Sequence, residues 1–167
     1  NKDGVIKKYN KEDIEFSYRH SSIPESEIIL EANFRFNKGI QTNIDSEKKK
    51  VSFSRKSKQP LRFRSAGSIF KNPNKSMAAG YLIDQANLKG LKKGDAEIST
   101  KHANFIINHG GASSDDVLHL IKHIKKEVKT KFNIDLKLEI KLLGFKDMEI
   151  KGVSWLVISN QNLDMDY

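Results

Sequence analysis

The run Arg64-Ser65-Ala66-Gly67-Ser68-Ile69-Phe70-Lys71-Asn72-Pro73 sets small residues, a hydroxyl, a cation and an amide side by side, then ends on a proline. Gly67 permits backbone angles that other residues avoid, and Pro73 ends whatever element precedes it by pushing its neighbour out of the helical region. The run therefore predicts a turn between two core elements. Such a turn holds the Ser68 hydroxyl outward with Lys71 and Asn72 nearby, a set suited to an anionic, polar ligand. A plain polar turn is the commoner origin of any one such run.

Downstream, Ala78, Leu82, Ile83 and Ala86 recur at helical spacing, with Gly90 where a helix stop belongs. Ser113 with Asp116 predicts the N-cap of a second helix over residues 114–131. Acids fill its first turn, where the helix dipole favours them. Val117, Ile121, Ile124 and Val128 make its apolar stripe. Between the helices, Phe105-Ile106-Ile107 reads as a strand, and residues 134–143 alternate with Ile134, Leu136, Leu138, Ile140 and Leu142 on one face. Strand, helix, strand, helix, strand predicts an α+β domain. In the tail beyond residue 144, Val153, Trp155 and Val157 fit one more strand.

Upstream, residues 27–36 place Ile28, Leu30, Ala32, Phe34 and Phe36 on one face, the pattern of a half-buried strand. Asp3-Gly4 before Val5 and Ile6 predicts a tight turn entering another short strand. Residues 37–58 read as a polar connector with a basic run, Lys48-Lys49-Lys50, then Arg55, Lys56 and Lys58. The apolar pattern there is too poor to predict a helix, and the basic run reads as a solvated face.

The 167 residues amount to about one domain with a real core. Lys and Arg number 30 against 21 Asp and Glu, a net charge of +9. That balance favours anionic partners such as nucleotides, phosphorylated metabolites, nucleic acid or an acidic membrane, without choosing among them. The absence of cysteine excludes disulfides and thiolate metal sites. No apolar run approaches the roughly 20 residues of a membrane span, and no membrane partner is expected. His119 and His123 have a metal-ligand spacing on a helix, but no neighbouring ligands complete the set, so no metal is expected. No glycine-rich phosphate loop such as GxGxxG or GxxxxGK[ST] occurs.

In wording as well as pattern, residues 64–73 resemble the serine loop of the UDP-N-acetylenolpyruvoylglucosamine reductases, flavoenzymes of peptidoglycan synthesis also called UDP-N-acetylmuramate dehydrogenases. Further segments resemble the same family in the same order. Phe16-Ser17-Tyr18-Arg19-His20-Ser21 resembles its tyrosine–arginine motif, and Gln59-Pro60 the pair leading into the serine loop. Residues 79–90 resemble the helix that follows, and residues 101–108 and 138–144 complete the series. Together they cover most of residues 3–144.

The resemblance implies an α+β chain in four parts. Residues 1–36 would end the sheet of a FAD-binding domain, 37–58 form a basic connector near which the family has a helix, 59–144 form a small α+β substrate-binding domain, and 145–167 form a tail of open role. The passage from Pro73 into the next helix resembles the subgroup without an inserted tyrosine-bearing loop. The implied activity is FAD-dependent reduction of UDP-N-acetylglucosamine enolpyruvate by NADPH, giving UDP-N-acetylmuramate in the cytoplasm. The implied partners are the UDP-sugar and the FAD-binding domains that lie upstream in the family, with no nucleic acid.

Site residues follow from the same resemblance. Glu139 reads on its own as a solvent-facing strand carboxylate beside Asp135, Lys137 and Lys141, whereas the family has its catalytic glutamate in this motif. Arg19 reads as a surface arginine that packs its stem, whereas the family's arginine flanks the flavin and meets the substrate carboxylate, a contact its planar fork suits. Ser68 reads as a turn serine, whereas the family's serine gives a proton to carbon 2 of the enolpyruvyl group. Tyr18, Lys71, Asn72 and Gln85 are the implied substrate contacts; their plainer roles are packing, loop capping and an exposed helix side chain. His102 and His109 read as structural hydrogen-bonding residues.

Two readings compete with the enzyme. One is a basic nucleic-acid-binding module, resting on the +9 charge and on Phe34-Arg35-Phe36 and Arg62-Phe63-Arg64. The other is a non-catalytic remnant kept for interaction, against which the three intact catalytic positions speak.

Overall fold

The apolar stripe of one helix organises the core. In the computed structural model, which describes residues 3–145, α3 spans Ser114–Phe132 and buries Leu118, Leu120, Ile121, Ile124 and Val128. Its start is fixed as the sequence predicts. The Asp116 N–H donates to the Ser113 hydroxyl oxygen at 3.1 Å, and the Ser113 N–H donates back to the Asp116 carboxylate at 3.0 Å. Together these satisfy donors that the first turn leaves open. At the other end, Asn133 caps the helix in the left-handed conformation.

The chain divides into two compact units, Asn1–Ser46 and Glu47–Tyr167. The second holds a four-stranded antiparallel sheet in the order β3-β6-β5-β4. Its strands are β3 (Arg64–Ser68), β4 (Lys92–Lys93), β5 (Ala96–Ile98) and β6 (Phe105–Asn108). Ala96, Ile98 and Ile106 join the core formed with α2 (Ala79–Gln85) and α3. Side chains alternate along a strand, so Glu97, Phe105 and Ile107 take the other face. The α+β class is the observed one.

Register breaks in β3. Ser65 pairs with Ile107, yet Ser68 pairs with Phe105, so three steps on β3 match two on β6. The extra residue is a β-bulge, and Gly67 absorbs it at φ 82°. The segment predicted as a turn is thus a kinked strand that delivers Ser68 at its end.

Several expectations are corrected. Residues 37–58 contain α1 (Gln41–Lys58), a helix with no buried residue. Its lack of an apolar stripe hid it. Local pairs hold it instead, Glu47 with Lys50 at 2.8 Å and Arg55 with Gln59 at 3.1 Å. The Lys101 ammonium adds to these by donating to the Lys56 carbonyl in the last turn, at 2.7 Å. The basic run does lie on a solvated face. Helix α2 ends at Gln85, with Asn87 just beyond it in the left-handed conformation at φ 61°, rather than at Gly90. The β4–β5 hairpin carries too few apolar residues to have been read. Residues 134–143 keep their predicted parity, with Leu136 buried, but make one isolated bridge, Phe70 with Leu138, instead of a strand.

The first unit holds a 3-10 turn (Lys11–Asp13) and the hairpin of β1 (Phe16–Ser17) and β2 (His20–Ser21). Glu27 accepts from the Lys7 ammonium at 2.7 Å and from the Tyr9 hydroxyl at 2.8 Å. Neither residues 27–36 nor Val5-Ile6 form a strand. Their alternation finds no partner strand among the described residues, and Ile28, Leu30, Phe34 and Phe36 stay exposed. The strand expected near Val153, Trp155 and Val157 lies outside the described residues.

Replacing the cap, Ser113→Ala, should lower stability by about 1 kcal/mol in urea denaturation. The Ser113 N–H and hydroxyl hold the Asp116 carboxyl below its ordinary value of 3.8. This contribution is therefore complete above the unfolded value and is lost as pH falls through the lower folded one. The difference between wild type and Ser113→Ala should shrink in that acidic window.

Candidate active site

Ser68 ends the bulged strand half-buried, and the next three residues are gripped along both edges. On one edge the Ile69 N–H donates to the Asn104 carbonyl at 2.9 Å. The Asn104 side chain then takes both main-chain groups of Phe70: its oxygen accepts from the Phe70 N–H at 2.9 Å, and its nitrogen donates to the Phe70 carbonyl at 2.8 Å. On the other edge the Lys71 N–H donates to the Lys137 carbonyl, and the Glu139 N–H donates to the Ile69 carbonyl, both at 2.8 Å. Glu139 is thereby tied to the residue that follows Ser68. It is half-buried while Asp135, Lys137 and Lys141, of the same parity, are exposed.

The same segment carries Lys71, half-buried, and Asn72, exposed. The Asn72 side-chain oxygen accepts from the Ala79 N–H at 3.0 Å, capping α2, whose N-cap residue Ala78 has no side chain able to do so. Gln85 is the exposed last residue of α2, about 9 Å along the axis from Ala79 at 1.5 Å per residue. Ser68, Lys71, Asn72 and Glu139 are therefore gathered locally, and Gln85 stands at the far end of a short helix.

Tyr18 and Arg19 belong to the other unit, where they form the two-residue loop of the β1–β2 hairpin. Arg19 has φ 57°, a conformation that favours glycine or asparagine and costs an arginine on the order of 1 kcal/mol. Its guanidinium carbon lies 5.9 Å from the Tyr18 ring centroid, within cation–π range. A planar cation over an aromatic ring, exposed at a hairpin tip, fits the carbonyl-bearing edge of a flavin. The chain has no glycine-rich cradle for the flavin's phosphates.

The two histidines near the sheet are structural, as read from the sequence. The His102 ring accepts from the Asn104 N–H at 3.3 Å and packs edge-on to Phe105 at 4.9 Å. Gly80 of α2 lies against it, since a Cβ there would come within 3.2 Å of the ring. The His109 ring nitrogen is 2.7 Å from the carboxylate of Glu97, which is 8% exposed and also has Lys92 at 3.4 Å. Glu97 and Asn104 were not singled out from the sequence. The available signal was a polar residue within or next to an apolar β run, which must be satisfied once buried.

A family model for the C-terminal domain of UDP-N-acetylenolpyruvoylglucosamine reductase matches residues 59–143. The chain belongs to this family. The reductase of Enterococcus faecalis is 43% identical over 143 residues, covering 85% of this chain and 47% of that protein. That of Petrotoga mobilis is 45% identical over 139 residues, covering 83% of this chain and 45% of the relative. The crystal structure of the reductase from Thermus caldophilus is similar at a TM-score of 0.68 and 38% identity, covering 80% of this chain and 47% of that one. The chain thus spans about half the length of the curated reductases it matches. No helix among its described residues is long and apolar enough to cross a membrane.

Burial holds the His102 imidazole below its ordinary value of 6.5. The folded state therefore favours the neutral ring, and its contribution is complete above the unfolded value and lost as pH falls through the folded one. The His102 ring-proton NMR titration should have its midpoint below 6.5. His102→Gln should flatten the loss of stability seen on acidification from neutral pH.

Proposed function

We propose that this chain is the substrate-binding and catalytic part of a UDP-N-acetylenolpyruvoylglucosamine reductase. The reaction is reduction of the enolpyruvyl ether of UDP-N-acetylglucosamine to UDP-N-acetylmuramate, with NADPH as the source of electrons and FAD as the carrier. The observation that carries the reading is the backbone pairing of residues 69–71 with 137–139, which joins the candidate proton donor Ser68 to the candidate acid Glu139.

In this reading residues 59–144 form the substrate domain and residues 37–58 connect it to residues 1–36, which complete the sheet of the FAD-binding domain. The exposed apolar face of Ile28, Leu30, Phe34 and Phe36 supports that last assignment. It is what a strand shows when its partners belong to another part of the enzyme. The flavin is held mainly by that upstream region of the family, with Arg19 at its edge. The reading implies a cytoplasmic reaction, and a role in cell-wall synthesis and hence in cell shape and division.

When bound, the reduced flavin would supply the hydride that the double bond takes up at carbon 3. The chain's own residues do the rest. Arg19 binds the substrate carboxylate through two parallel hydrogen bonds, which fixes the double bond and draws its electrons towards the carboxylate. The enol-like charge that develops there is stabilised by Arg19, with Glu139 taking part in holding the intermediate. Ser68 delivers a proton from its hydroxyl to carbon 2, completing the addition. Tyr18, Lys71, Asn72 and Gln85 hold the rest of the UDP-sugar. The reaction needs no metal, and the exposed basic residues of α1 need no nucleic acid to account for them.

The test is a chimera joining the upstream half of the Enterococcus faecalis reductase to this chain. Ser68→Ala should leave reduction of the flavin by NADPH within about twofold, while its reoxidation by the enolpyruvyl substrate slows by on the order of 10²- to 10⁴-fold. An equal fall in both half-reactions removes Ser68 from the proton transfer. Arg19→Lys keeps the charge and loses the fork, so the reoxidation step should weaken despite the conserved cation; an unchanged rate with saturating and limiting substrate removes the carboxylate contact.

A further inference from the structure

We infer that Asn104 is the positioning residue of the candidate active site, acting on Ser68 and Glu139 through the main chain of Phe70. The inference rests on the enzymatic reading above and adds a residue to which no role has been given.

Two strands exchange hydrogen bonds along a ladder, and β3 loses its ladder just where Ser68 ends. Past that point β6 offers only the Asn104 carbonyl, which takes the Ile69 N–H. The chain before Asn104 turns away, with the Ser99 hydroxyl accepting the N–H groups of Lys101 and His102 at 3.2 and 3.3 Å. No further main-chain group of that strand reaches Phe70. The Asn104 carboxamide replaces the missing peptide, supplying one acceptor and one donor to the Phe70 N–H and carbonyl. This is the pair of bonds that a neighbouring strand residue makes in an antiparallel ladder.

Asn104 is 4% exposed and Phe70 is 1% exposed, so water does not substitute for either bond. The opposite edge of the same three residues carries Glu139. A shift of Phe70 therefore moves Ser68 on one side along the chain and Glu139 across the bridge. Both would move relative to a substrate held by other groups, and misplacement of reacting groups by about an ångström is enough to cost large factors in rate.

Asn104→Asp tests this in the same chimera, because a carboxylate keeps the acceptor and loses the donor at neutral pH. With Ser68 present, reoxidation of the flavin at saturating substrate should slow by at least about tenfold, with flavin reduction by NADPH unchanged. Lowering the pH should relieve the defect, since a protonated carboxyl restores a donor to the Phe70 carbonyl. In the Ser68→Ala background the same substitution should slow reoxidation by a clearly smaller factor, because the share of its effect that passes through Ser68 is already lost and only the share through Glu139 remains. Equal slowing in both backgrounds, or none in either while Ser68→Ala remains slow, overturns the positioning role. If Ser68→Ala itself reoxidises normally, the enzymatic reading fails first, so the two failures are distinguishable. Should Asn104→Asp not fold, Asn104→Ser, whose shorter hydroxyl cannot span both main-chain groups of Phe70, takes its place, judged by the comparison of the two Ser68 backgrounds alone.

Discussion

The main chain of Ile69–Lys71 is hydrogen-bonded along both edges, and the C-terminal unit is arranged around that fact. One edge is held by the carbonyl and carboxamide of Asn104, just before β6, the other by Lys137 and Glu139. Phe70 and Ile69 are both 1% exposed, so their polar groups have no water to fall back on. Leaving one such buried group unpaired costs roughly 1–3 kcal/mol. The segment after α3, too irregular to form a strand, is still pinned at Leu138 because those bonds must be made. The bulge at Gly67 then decides where Ser68 stands when the pinned segment begins.

Charge distribution follows a similar separation of roles. The cations of α1 remain in water and add to a net charge of +9. That field favours approach of an anionic substrate without fixing how it binds. On the far face of the sheet, the carboxylate of Glu97 has Lys92 at 3.4 Å and the His109 ring nitrogen at 2.7 Å. Its burial is therefore compensated.

How much of this was legible depended on whether each element shows its surroundings in its own residues. Helix α3 was read correctly because it buries one face and caps itself with Ser113 and Asp116. Strand β6 was read because Phe105-Ile106-Ile107 is buried on both sides. By contrast α1 buries nothing, so no stripe marks it. Residues 134–143 alternate faithfully, with Leu136 inside and Lys137 outside, yet they meet the rest of the fold at one bridge. Alternation reports which side faces the core and says nothing of a hydrogen-bonding partner. At the site, Ser68 and Glu139 were named through family resemblance, and their adjacency depends on a pairing between segments nearly 70 positions apart, which no local pattern encodes. The side chain of Asn104 was legible as a polar residue beside an apolar run, but its partner was not.

The bare strip from Ile28 to Phe36 has a practical consequence. Alternating bulky apolar side chains on an extended backbone without a ladder make a template for copies of themselves. Phe34 and Phe36 already stack on each other, 6.2 Å apart. The charges of Glu27, Glu31, Arg35 and Lys38 act as gatekeepers within or beside this stretch. Handled alone at high concentration, the polypeptide should self-associate through this stretch, and salt, by screening those few charges, should hasten it.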